Sequence, residues 1–178
     1  VMTSPLIIDT HMHLYPSKEE GRKNVTDYDG WEFEAGGRLP SYGKFGGDPA
    51  DGIAALDEAG ADRAIFVQFE TALVDRRERI AALPTGLNED QREAEIAKIY
   101  GEIAASLRAS NLWACQVGKD NPRLITYVCI DPHVMTSEEN VAHLRDMVEN
   151  HGAKGIKLHS VIQGFFMGDP RMWPVWEA

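Results

Sequence analysis

The stretch that decides the fold is Leu6-Ile7-Ile8-Asp9-Thr10-His11-Met12-His13-Leu14. A short apolar run ends in two histidines spaced one apart. In a β-strand successive side chains point to opposite faces, so Asp9, His11 and His13 share one face above Ile7, and Ile8, Thr10 and Met12 share the other. The run before the histidines is apolar on both faces, the pattern of a parallel strand buried between layers. Two neutral imidazoles at one strand end offer two nitrogen ligands to a divalent ion such as Zn²⁺. The H-x-H pattern alone is weak, because most histidines are ordinary core or surface residues. Its place at the end of a strand, with an acidic residue before it, gives the metal reading its weight.

Outward from this strand the sequence alternates strand and helix signals. Residues 15–47 are rich in Gly and Pro and predict mostly irregular structure. Their aromatic residues, Trp31, Phe33, Tyr42 and Phe45, argue for a loop folded over the strand ends. Residues 37–44 imitate a phosphate-binding loop, but the Gly37–Gly43 spacing is one residue too long and Phe45 replaces the required hydroxyl. Asp48-Pro49 opens a helix with Ile53 and Leu56 on its apolar face and Gly60 at its close. Arg63 to Phe69 predicts a second strand, with Gln68 and Glu70 able to border a site. The charged run 75–79 suits a solvated face. Asn88 and Gln91 form a capping box for the longest helix, whose stripe of Ile96, Ile99, Tyr100, Ile103 and Leu107 predicts core packing.

Leu124 to Ile130 predicts a third strand, stopped by Asp131-Pro132, with His133 within possible reach of the strand ends. Thr136 and Glu139 cap a helix expected to turn Val141, Leu144 and Val148 inward, to end at Gly152, and to leave His143 and His151 exposed. Ala153 to His159 predicts a fourth strand with Lys157 and His159 on one face at its carboxyl end. Asp169-Pro170 opens a last helix. Four strand–helix units imply a parallel sheet of the α/β class.

Composition fits a single globular domain over residues 1–178, with 43% hydrophobic and 26% charged residues. A net charge of −10 argues against nucleic acid or an anionic membrane as partner. It leaves an anionic small molecule open, because a metal and a few Lys or Arg can reverse the local field. Cys115 and Cys129 show no metal or redox spacing and suit free thiols in a reducing cytoplasm. No leader pattern and no membrane-spanning apolar run is visible.

The motifs IDTHMHL at 8–14, RAIFVQ at 63–68, DP at 131–132, GIKLHSVIQGF at 155–165 and DP-x-x-W-P at 169–174 occur in this order. In combination they resemble the amidohydrolase superfamily, most closely the TIM-barrel metal-dependent hydrolases of the amidohydrolase-2 branch that includes aminocarboxymuconate-semialdehyde decarboxylase. The resemblance implies a (β/α)8 barrel of which this chain carries about the first four βα units. It implies His11 and His13 as metal ligands, with zinc the expected divalent ion. The catalytic base and remaining ligands are expected beyond Ala178. Lys157 and His159 are expected on the substrate side, and Arg38 and Lys44 are candidates for a substrate carboxylate. The implied activity is hydrolysis, in which water activated by the metal attacks an ester, lactone or amide carbonyl. The alternatives are non-oxidative decarboxylation or hydration of a muconate-type or aromatic acid, and an inactive barrel fragment serving as a binding or assembly module. The expected partner is a small carboxylic acid derivative, and homo-oligomers are compatible with the sequence.

Overall fold

The computed structural model describes residues 5–24, 46–69 and 72–178. Arg38, Lys44 and Glu70, with the other expectations placed on residues 25–45 and 70–71, lie outside them. The elements in chain order are β1 (Ile8–Met12), a helical stretch α1 at residues 18–24, α2 (Pro49–Ala59), β2 (Arg63–Val67), α3 (Ala72–Ala81), α4 (Glu89–Asp120), β3 (Leu124–Cys129), α5 (Ser137–Glu149), β4 (Gly155–Lys157), α6 (Ser160–Gln163), a 3₁₀ turn at Pro170–Met172, and α7 (Trp173–Glu177). The four strands form one parallel sheet in the order β1-β2-β3-β4. This is the α/β class and the strand order of consecutive βα units.

The caps fall where the sequence puts them. Asp48 accepts the Asp51 N–H at 2.8 Å, and Gly60 closes α2 in the left-handed region at φ 66°. Both capping boxes are formed, Asn88 with Gln91 and Thr136 with Glu139. A further, unpredicted cap opens α1, where Ser17 Oγ accepts the Glu20 N–H at 3.2 Å and donates to Glu20 Oε1 at 3.4 Å, inside a segment expected to be mostly irregular.

Several expectations need correction. Helix α5 is rotated on the sheet relative to its predicted face. Asn140, His143 and Met147 are buried while Val148 is 46% exposed. His143, expected on the surface, is only 8% exposed, because a carboxamide on α4 gives it a partner. The run 75–79 is not simply a solvated face. Arg76 is buried, with its guanidinium 5.7 Å from the centre of the Tyr100 ring. The fourth strand is shorter than predicted, three residues instead of seven, because His159 already begins the next helix.

The buried side of the sheet is its helix side. Phe66, Leu124 and Leu56 pack with Ala114 and Val117, and Ile130 and Leu107 pack with Ile99, Ile103 and Met172. Gly118 lets α4 lie close to β3, since a Cβ there would stand 2.2 Å from Thr126 Oγ1. The other face is more open, and so is the β1 edge. Leu6 and Ile7 are 59% and 54% exposed, where a strand buried on both faces was expected. They stand just before β1, where the Ile7 N–H donates to the Asp62 carboxylate at 2.8 Å and the Ile7 carbonyl accepts the Asp62 N–H at 2.9 Å, and their side chains stay in water.

Asn111 is the main polar joint of the core. Its Nδ2 donates to Cys129 O at 2.7 Å and its Oδ1 accepts Cys129 N–H at 2.9 Å. The same Nδ2 lies 2.9 Å from His143 Nε2, so that nitrogen is the acceptor and His143 is neutral. We expect Asn111→Ala to cost about 3–5 kcal/mol of stability in urea denaturation, because two buried backbone groups lose their partners together. Burial, and then the Arg108 charge, holds the His143 pKa below 6.5, with Asp146 opposing and His151 adding to the depression. The unfolded chain therefore binds the proton more readily. The stability contributed by neutral His143 is fully present above pH 6.5 and is lost as pH falls from there towards the depressed folded value. The urea midpoint should fall between pH 7.5 and pH 5, and His143→Gln should flatten that fall.

Candidate metal and substrate site

The candidate site lies at the carboxyl ends of β1 and β4, where loops leave the sheet. His11 and His13 come from the end of β1. Their Nε2 atoms are 3.0 Å apart, with ring centres 4.9 Å apart. Two nitrogen ligands on a tetrahedral zinc, each at about 2.05 Å, stand about 3.3 Å apart, so the pair has the spacing of half a zinc site. Without an ion, the same spacing is a hydrogen bond between one protonated and one bare nitrogen.

Electrostatics keeps both rings neutral at neutral pH. Burial, then the His11 ring, then the Lys157 ammonium lower the His13 pKa to about 4, against a hydrogen bond to the Val67 backbone. Burial first and Lys157 second lower that of His11, and Asp9 opposes them. Neutral imidazole is the form that binds a metal. Both residues are exposed to solvent.

Asp9 has a different job from the one simple alternation suggests. Its Oδ1 accepts the His11 backbone N–H at 2.9 Å. The β1–β2 register also shifts between Asp9 and Met12. The carboxylate thus shapes the bulge that presents His11. On its helix side, β1 is held by Met12 and Leu14, which pack against Leu56 and close on Gly52.

Lys157 ends β4, opposite Cys129 in the register. Its charge acts on both imidazoles, and it stands at the same end of the parallel sheet as the pair. His159 lies beyond the strand. Its Nδ1 caps α6 by accepting the Ile162 N–H at 3.4 Å, and its ring lies 5.8 Å from that of Phe69. The charge of its protonated form also acts on His11. His11 and His13 are brought together, and Lys157 and His159 follow β4 at the same end of the sheet. Among the described residues no group of three or more His, Cys, Asp or Glu side chains converges on one point.

His133 does not join them. Its Nε2 donates to Gly164 O at 3.0 Å, and Arg171 Nη1 approaches its Nδ1 at 3.4 Å. Arg171 is in turn fixed by Asp169, whose pKa falls to about 2 mainly through that side-chain bond. Gln68 sits just past β2, where its backbone N–H extends the pairing to Tyr127 O at 2.8 Å.

The residue that sequence reading missed is Gln163. It is fully buried, donates to Ile130 O at 2.7 Å and accepts the His159 N–H at 2.8 Å. It thereby ties the end of β3 to the backbone that carries His159. Its only sequence signal is position, four residues after His159 and before the left-handed Gly164. We expect Gln163→Leu to cost about 2–4 kcal/mol in chemical denaturation, because Ile130 O and His159 N–H lose their partner in the core. Gln163→Glu keeps the acceptor for His159 and should recover part of that loss.

No protein-family model and no curated protein matches the chain. Among solved structures, the crystal structure of 2,6-dihydroxybenzoate decarboxylase complexed with 2,6-dihydroxybenzoate is similar at 13% identity and a TM-score of 0.41. The match covers 87% of this chain and 38% of that one, so the chain spans well under half the length of that structure. A likeness of this size assigns neither fold nor activity.

Proposed function

We propose that this chain carries the first-strand metal half-site of a metal-dependent enzyme of the amidohydrolase type, built on part of a (β/α)8 barrel. The observation that supports it best is the 3.0 Å approach of His11 Nε2 and His13 Nε2 at the carboxyl end of a parallel strand. The proposed reaction is hydrolysis of an ester, lactone or amide of a small carboxylic acid. His11 and His13 hold a divalent ion, with zinc favoured by the two imidazole donors, together with ligands that the described residues do not supply. The ion, when bound, polarises the substrate oxygen and lowers the pKa of water. Lys157 orients an anionic substrate through its ammonium group. The His159 ring, backed by Phe69, forms one wall beside it.

Decarboxylation or hydration of a muconate-type or aromatic acid is a second reading, with which Lys157 is equally compatible. A cation beside the imidazole pair suits a substrate carboxylate in either reaction.

Metal titration tests the reading. Zinc should bind the purified protein and raise its melting temperature, and His11→Ala or His13→Ala should weaken binding by about tenfold or more. Absence of bound Zn²⁺, Mn²⁺ or Fe²⁺, with stability unmoved by chelator, would sink it. With an active preparation, Lys157→Met should raise KM for carboxylate substrates more than it lowers kcat. Release of CO₂ without hydrolysis products would select the second reading.

A further inference from the structure

At the opposite end of the sheet from the histidine pair, a half-open cavity of about 410 Å³ lies beneath the amino ends of the strands. Four of its lining residues are Arg63, Lys119, His151 and Lys154, and none is Asp or Glu. In a chain with 28 acidic and 18 basic residues, this is a local reversal of charge. Two of the four have structural duties. Lys119 is in the last turn of α4 and its Nζ donates to Asn150 O at 3.2 Å, at the end of α5. His151 lies 3.6 Å from Asp146. These contacts leave two of the three Lys119 N–H donors unused.

Arg63 and Lys154 have no helix end to serve. Arg63 opens β2 and Lys154 stands just before β4, and neither side chain has a hydrogen-bond or ion-pair partner among the described residues. Pro122, Leu124, Ile125 and Cys115 supply apolar wall. The cavity thus combines two uncommitted cations and a partly committed one with an apolar surface. It is far larger than a single oxyanion requires.

We propose that this cavity is a second binding site, for a phosphate oxyanion carried on a small organic body. Arg63 and Lys154 hold the oxyanion from two strand ends, Lys119 adds charge from the helix side, and the apolar wall receives the organic part. The site is separated from His11 and His13 by the length of the sheet, about 16 Å along β3 at 3.3 Å per residue. It therefore stands or falls independently of the metal reading.

Calorimetric titration with inorganic phosphate and with phenyl phosphate at low salt tests it. Both should bind, phenyl phosphate more tightly. The double substitution Arg63→Gln with Lys154→Gln should weaken both by at least about tenfold, as expected for lost charge-assisted hydrogen bonds. Arg92→Gln, which removes a cation on the exposed start of α4, should leave both affinities unchanged. Circular dichroism of each variant establishes that the fold is kept. The single substitution Lys154→Gln, on the loop before β4, repeats the test should the double variant fail to fold. Equal affinity for the two ligands would sustain the oxyanion site and overturn the organic part. Absence of binding, or an equal loss in Arg92→Gln, would overturn the site itself.

Discussion

The carboxamide of Asn111 is the constraint on which the rest of the structure depends. It satisfies both the N–H and the C=O of Cys129, the last residue of β3, and so does for the strand end what a neighbouring strand would otherwise do. Because it projects from the middle of α4, it fixes that long helix along its axis as well as against the sheet. Its remaining donor reaches His143 and fixes α5 in turn. One neutral side chain thereby sets three elements in register at the point where the strand gives way to the loop that leads to Asp131. Apolar packing alone would bring these elements together without specifying the slide of one past another.

The candidate site is built on what this joint secures. Lys157 pairs opposite Cys129, and Gln163 reaches back to Ile130 and Cys129. The β4 half of the site is thus referred, through two buried amides, to the same few atoms of β3. The β1 half is positioned differently. Asp9 folds onto the His11 backbone, and Met12 and Leu14 anchor the strand against α2. Two sets of local interactions, one polar and one largely apolar, bring an imidazole pair and an ammonium group to the same end of the sheet.

Much of this was legible in the sequence. The caps at Asp48, Asn88 and Thr136 were readable because a cap is a local transaction between a side chain and a backbone group three residues away. The pairing of His11 with His13 was readable because it needs only the two-residue period of a strand. What escaped reading depends on tertiary partners. The α5 stripe was placed on Val141, Leu144 and Val148 by hydropathy, but the burial of His143 follows from a partner 32 residues away, and that moves the buried face. Gln163 and Arg76 were unreadable for the same reason, since a polar residue in a core is recognised only by what it meets. The Ser17 cap is a different failure. The signal was local and present, and the glycines downstream outweighed it.

The order of the sheet has a consequence for how the chain comes to be folded. Among the described strands each pairs with the one made just before it, and none is inserted between two earlier ones. The sheet can therefore be laid down from its amino end as the polypeptide leaves the ribosome, each βα unit docking on an edge already in place. A fold in which the first and last strands were central neighbours would have to keep that first edge open until synthesis was nearly complete. Among the described strands the outer edges of β1 and β4 stay unpaired, and the apolar residues Leu6 and Ile7, just before β1, remain in water.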